Sequence, residues 1–231
     1  MKFRPNRTSS RLQEVPVFAG MRPIRLEHLI SRSQLLLLGR GETLFEAGQP
    51  CGGLHAVLDG MVKVFARTSS GQEKVLAIGG RGQTLPGTHL IGEAKLPHHA
   101  SALCDSAVLV IPQDVLQGEI TLDPSLGQRL LDDATQHVCR MMREIESTTL
   151  SSAMKRTCDY LLRQPVMALQ GGDGRDRVIC LPVSKGTVAS LLSITPEHFS
   201  RILRELQASG VIDMQQRTIR ILDPDRLARL E

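Results

Sequence analysis

Hydrophobic spacing along this chain changes its period several times, and each change predicts an element. Residues 22–38 begin with helical spacing and end in the strand-like run LLLL. From about residue 40 the pattern shortens to β-type runs cut by Gly, Pro and polar turns: GETLFEAGQP, LHAVLDGMVKVFARTSSGQEKVLAIGGRGQTL and ASALCDSAVLVIP. TSSG, between VKVFAR and QEKVLAI, has the composition of a hairpin loop. Evenly spaced short strands with turn glycines predict an antiparallel barrel or roll, which closes on itself and protects its edges. Pro112-Gln113-Asp114 opens a short helical piece, and a long helix runs on from Asp123. Within it Leu131, Ala134, Val138, Met141 and Ile145 alternate three and four apart, a coiled-coil seam of about two heptads. The seam is narrow and flanked by Asp132, Asp133, Arg140, Arg143 and Glu144. That favours a partner helix, and so a homodimer, over one helix packed on its own domain.

After Ser151 a new helix starts (SSAMKRTCDYLLRQ), followed by the polar loop QGGDGRDR and the short strand VICLPV. Two helical patterns then flank a tight break. The first carries Val188, Ala189 and Leu192 on one face and stops at SIT. In the second, Thr195 is a good N-cap, Pro196 suits the first helical position, and Gly210 is a natural stop. Phe199, Ile202, Leu203 and Leu206 form its apolar stripe. Two short helices around a turn of three or four residues make a helix-turn-helix. VIDMQQRTIRILD alternates apolar and polar around QQRT, which reads as a β-hairpin wing. The expected class is therefore α+β. It comprises an N-terminal arm (1–20), an antiparallel β-roll domain (21–122), a dimerisation helix (123–150) and a C-terminal winged helix-turn-helix domain (151–231).

Glu197, Ser200 and Arg201 fall at i, i+3 and i+4, away from the apolar stripe and near the start of the second helix. A recognition helix enters the major groove with that end foremost. Glu can accept from the cytosine amino group, Arg can donate to guanine O6 and N7, and Ser can pair with several bases. The bland alternative is a surface ion pair between Glu197 and Arg201, worth about 0.3 to 0.5 kcal/mol. Lys185, Thr195, Arg217 and Arg220 are the candidates for phosphate contacts, which position a protein on DNA without reading sequence.

Composition changes this picture little. The formal charge of +4 permits a polyanion partner. Lys2, Arg4, Arg7 and Arg11 precede any acid, and either a solvated, frayed tail or an arm that touches phosphate accounts for them. The five cysteines, Cys51, Cys104, Cys139, Cys158 and Cys180, are scattered without a C-x-x-C pair. Most are expected to be small buried hydrophobes, and no metal site is expected. No apolar run approaches the roughly 18 residues of a membrane span, and the first 15 or so residues lack the apolar centre of a secretory signal, so a cytoplasmic location without membrane contact is expected. No nucleophile–base motif, Gly-rich phosphate loop or H-E-x-x-H pair suggests an enzyme.

A β-roll, a long dimer helix and a winged helix together resemble the cyclic-AMP receptor / fumarate-nitrate regulator (Crp/Fnr) superfamily of bacterial transcription factors. The resemblance runs from about Phe18 to Leu230 and is densest at LPVSKGTVASLLSITPEHFSRILRELQASGVI. GETLFEAGQP and LDGMVKVF look like the roll's turn-and-strand signatures. Ser193 stands where the family often has Gly. Glu197-x-x-Ser200-Arg201 looks like the fumarate-nitrate branch, since the cyclic-AMP branch usually has Arg in place of Pro196. The resemblance implies double-stranded DNA with an inverted repeat such as TTGATnnnnATCAA, RNA polymerase as a partner, and a small effector in the roll.

The cyclic-AMP type resembles a Gly-Glu followed by an Arg-Ser, the Arg pairing with the cyclic phosphate. Here Gly92 and Glu93 are followed by His99 or Ala100 at the Arg position, which argues against cyclic AMP. The iron–sulfur type needs N-terminal cysteines, and none precedes Cys51, so no such cluster is expected. What remains looks most like the dissimilatory nitrate respiration regulators, through SSAMKRTCDYLL and LPVSKGTVASLL. That likeness implies a response to nitric oxide or redox state through haem, with His89, His98 and His99 as candidate ligands. A thiol switch at Cys51 or Cys104, another effector and a constitutive dimer with an empty roll stay open.

Overall fold

The computed structural model describes residues 7–88, 95–166 and 177–230. The chain divides into two compact units, Met1–Arg140 and Met141–Glu231. In the first, α1 (Thr8–Gln13) and α2 (Pro23–Ser31) precede eight strands. These are β1 (Gln34–Leu38), β2 (Thr43–Phe45), β3 (Gly53–Asp59), β4 (Met61–Arg67), β5 (Glu73–Gly80), β6 (Gln83–Thr84), β7 (His99–Ala102) and β8 (Ser106–Pro112). Two antiparallel sheets result, ordered β1-β8-β3-β6 and β2-β7-β4-β5. The expected α+β class and roll are present.

Strand alternation explains how the unit packs. Along β3, Leu54, Ala56 and Leu58 join Leu12, Phe18, Leu26 and Leu116 in one core beneath the helices. Val57 instead joins Phe45, Val62, Val64 and Leu85 in a second core between the sheets. β3 is buried along nearly its whole length because successive side chains point to opposite faces and both faces are covered. The β3–β4 turn needs Gly60, whose φ is 80°. A Cβ there would lie 2.3 Å from Ser106 Oγ and 2.5 Å from the Asp105 carbonyl oxygen.

The basic N-terminal arm is not a solvated tail where it is described. Leu12, Val15, Val17 and Phe18 are buried in the core beneath the helices. Glu14 accepts from Arg81 through Nε and Nη2 at 2.7 and 2.6 Å and lies 3.6 Å from Arg11. Charge dominated the sequence expectation there, but four apolar side chains following the basic run outweigh it, since each contributes roughly 1.5–3 kcal/mol on full burial. Lys2 and Arg4 lie outside the described residues, and Arg7 is exposed.

Next come α3 (Gln113–Leu122) and α4 (Pro124–Leu150). Glu119 on α3, 2 % exposed, accepts from Arg25 Nε at 2.8 Å and faces His28 Nδ1 at 3.0 Å, tying α3 to α2. On α4 the seam residues Leu131, Val138, Met141 and Ile145 are exposed, each by more than half, and Ala134 is half-buried.

The second unit contains α5 (Ala153–Arg163), β9 (Arg177–Cys180), α6 (Lys185–Leu191), α7 (Pro196–Ala208), β10 (Ile212–Gln215), β11 (Thr218–Ile221) and α8 (Pro224–Arg229). The strands form an antiparallel sheet ordered β10-β11-β9. The polar loop expected at QGGDGRDR falls almost wholly outside the described residues.

Candidate nucleic-acid interface

Local capping builds the helix pair. Ser184 Oγ accepts from Thr187 N at 3.1 Å at the start of α6, and Thr195 Oγ1 accepts from His198 N at 3.1 Å at the start of α7. Each satisfies an amide that the first turn leaves unpaired. Between the helices, Ser193 takes a left-handed φ of 57°. Ser193 N donates to the Ser190 carbonyl and Ile194 N to the Ala189 carbonyl, at 3.2 and 3.0 Å. That is the conformation glycine adopts freely, so the departure from the family residue is a backbone cost, not a change of turn. Arg156 on α5 braces the turn: its Nε donates to the Leu192 carbonyl at 3.0 Å and its Nη1 to the Ser151 carbonyl at 2.6 Å. Sequence reading missed Arg156 because nothing local marks a side chain that caps a helix 36 residues away.

Phe199, Ile202, Leu203 and Leu206 are buried, as the spacing predicts. Glu197 and Arg201 are exposed and Ser200 is half-buried. Among the described residues no ion pair joins Glu197 to Arg201, so the bland alternative loses its contact. Arg204 extends the same face by one turn, with Nε 3.4 Å from the Ser200 carbonyl. Its place seven residues after Glu197 was the signal available for it.

The wing forms around Gln216 and Arg217, with Gln215 opposite Thr218. Gln216 has a φ of 55°, as a two-residue hairpin turn demands. On β11, Ile219 and Ile221 point inward while Thr218 and Arg220 point out, and Arg217 is exposed at the tip. Lys185 is half-buried in the first turn of α6, and the Thr195 hydroxyl is already engaged as the α7 cap.

The sequence profile of a Crp-like helix-turn-helix domain matches residues 155–230, and that of a cyclic nucleotide-binding domain matches residues 36–121. The chain belongs to the Crp/Fnr family of transcription regulators. The fumarate and nitrate reduction regulatory protein of Escherichia coli (strain K12) is 27% identical over 206 residues, 89% of this chain and 81% of that one. FixK2 from Bradyrhizobium japonicum shares the fold with a TM-score of 0.73 at 20% identity, over 86% of this chain and 97% of that one. The c-di-GMP-responsive global regulator CLP of Xanthomonas campestris shares it with a TM-score of 0.70 at 20% identity, over 87% and 99%. These relatives are regulators, not enzymes. Regulators of the Crp/Fnr family bind DNA and act as dimers.

In this Crp/Fnr chain the roll histidines have unlike environments. His89, with Gly92 and Glu93, lies outside the described residues. His98 sits in the bend before β7 rather than on it. Partial burial, and then the neighbouring charge of His99, lower its pKa. His99 stacks on Phe65 with ring centroids 5.4 Å apart, and its Nδ1 accepts from Ala47 N at 3.3 Å. Ala100 is buried in the core between the sheets. Neither residue at the family's Arg position offers a bidentate guanidinium donor.

Sequence reading passed over His55, which is 5 % exposed on β3. Its Nδ1 donates to the Gly53 carbonyl at 3.0 Å, its ring meets Phe45 edge-on, and burial lowers its pKa to about 4. The cysteine expectation also needs correction. Only Cys158 is buried, while Cys51 and Cys104 are half-buried and Cys139 and Cys180 exposed. Cys139 lies on an outward face of α4 and Cys180 ends the edge strand β9. Among the described residues no three His, Cys, Asp or Glu side chains come together as a metal site, and no described helix is long and apolar enough to cross a membrane.

Proposed function

We propose that this protein is an effector-responsive homodimer that reads an inverted repeat of the TTGATnnnnATCAA type in the bacterial cytoplasm. The observation that carries the proposal is the division of α7. Its Phe199–Leu206 stripe anchors inward while Glu197, Ser200 and Arg201 stand on the other face near the N-terminal end. Arg201 contacts the guanine of the half-site, Glu197 a cytosine amino group, and Ser200 a neighbouring base. Lys185, Thr195, Arg217 and Arg220 set the register through phosphates. The seam of α4 brings two reading helices to half-sites about one helical turn apart, and DNA-bound dimers engage RNA polymerase.

The test is fluorescence anisotropy with a TTGAT duplex at fixed salt. Arg201→Ala is expected to weaken binding by about 1 to 3 kcal/mol and to lose discrimination at the guanine position. An unchanged guanine preference would place the reading surface elsewhere.

Sensing of nitric oxide or redox state through haem is the finer proposal for the effector, and the two described candidate ligands, His98 and His99, fit it poorly. An axial imidazole offers one nitrogen to iron while the other donates a hydrogen bond. His99 accepts at Nδ1 and is held by Phe65, so its neutral form carries the proton on Nε2. His98 alone does not make a site. Absorption spectra of anaerobically purified protein test the idea: a Soret band that shifts with nitric oxide or carbon monoxide supports it, and its absence leaves another small effector or a constitutive dimer.

A further inference from the structure

Helix α4 carries two stripes. Leu126 is fully buried and Leu130 packs against the core beneath the helices. The same face continues through Asp133 and His137, at steps of four, three and four residues. Leu131, Ala134 and Val138 of the seam each lie one residue later than a member of this face, which is about 100° around the axis. The orientation of the seam is therefore set by how the first stripe sits on the roll.

That stripe ends in polar contacts. Thr84 on β6 is 3 % exposed, and its hydroxyl donates to the Asp133 carboxylate. The sheet holds Thr84 in place, since it pairs with Ala56 of β3. His137 Nδ1 donates to the Asp133 carbonyl at 2.9 Å and lies 3.8 Å from Asp133 Oδ2. The Asp133 and His137 side chains are only 18% and 11% exposed. From Val138 to Leu150 every residue of α4 is exposed except half-buried Ser147, so this cluster closes the buried part of the helix.

We propose that Thr84 and Asp133 are positioning residues for the dimer: their bond, braced by His137, fixes the rotation of α4 on the roll so that the seam faces a second copy of the chain. Apolar contact at Leu126 and Leu130 is non-directional and tolerates rotation. A hydroxyl donating to a carboxylate is short and directional, and does not tolerate it. The proposal rests on the homodimer proposed above.

The experiment is sedimentation equilibrium of the full-length chain, with circular dichroism to verify folding. Thr84→Val keeps the shape and removes the donor, and is expected to raise the dimer Kd about tenfold. Thr84→Ser restores the donor and is expected to return Kd to within about threefold of wild type. Asp133→Asn keeps an acceptor but loses the charge, and is expected to fall between them. An unchanged Kd in Thr84→Val, or a Ser variant as weak as the Val variant, overturns the assignment. If Thr84→Val does not fold, Asp133→Asn decides, and a Kd equal to wild type overturns it. A wild-type chain that stays monomeric at all concentrations refutes the homodimer itself, a separate outcome.

Discussion

Replacing Ser193 by Gly should stabilise the protein. Ser193 is one of two described non-glycine residues with positive φ, the other being Gln216 at the wing tip. A left-handed conformation costs an L-residue roughly 1–2 kcal/mol. Glycine removes that cost but loses about 0.5–1 kcal/mol more conformational freedom on folding. The Ser193 N and Ile194 N bonds to the end of α6 are backbone bonds, so the substitution keeps them. The net gain expected is about 0.5–1 kcal/mol, or about 2–8 °C in Tm for a domain of this size. Thermal unfolding of the full chain followed by circular dichroism measures it, with Ser193→Ala as the control. Alanine keeps the unfavourable φ and should leave Tm within about 2 °C of wild type. A Gly variant that melts no higher than the Ala variant would refute the account of Ser193 as a strained residue in a turn built for glycine.

Val138→Glu, which sets a carboxylate in each half of the seam, should raise the dimer Kd by at least about two orders of magnitude, read by sedimentation. His55 supplies a pH dependence. Its folded pKa of about 4 lies below the ordinary 6.5, so the unfolded chain binds more protons between those values. Stability is then complete above pH 6.5 and falls as pH drops toward 4, by roughly 3 kcal/mol. Urea unfolding across that window should show the fall in wild type and a smaller one in His55→Phe. Burial and the nearby Asp159 charge push the Cys158 thiol up to about 11. Iodoacetamide at pH 8 should therefore label Cys139 and Cys180 while sparing Cys158, as peptide mass spectrometry would show; rapid labelling of Cys158 in folded protein would contradict its burial.

Features of this protein that depend on neighbours three or four residues apart were legible in the sequence. The stripe of α7, its Thr195 cap, the wing around Gln216 and Arg217, and the seam of α4 all obey local periodicity or local turn chemistry, which tertiary packing left in place. The exposed face of α7 followed from them, because burying Phe199, Ile202, Leu203 and Leu206 forces Glu197 and Arg201 outward.

What tertiary structure alone decided joins residues far apart in the chain. His99 is held by Ala47, 52 positions away, and Thr84 meets Asp133 across 49. The basic arm packs because strands completed much later provide the core that receives Leu12 and Phe18. His55 is buried because β3 lies between β8 and β6 with both faces covered. Sheet pairing and side-chain reach bring such residues together, and no spacing rule along the chain encodes which distant partner arrives. The helix-turn-helix therefore announced itself in the sequence, while the environments of the roll's described histidines and the contact of Thr84 with α4 emerged only with the fold.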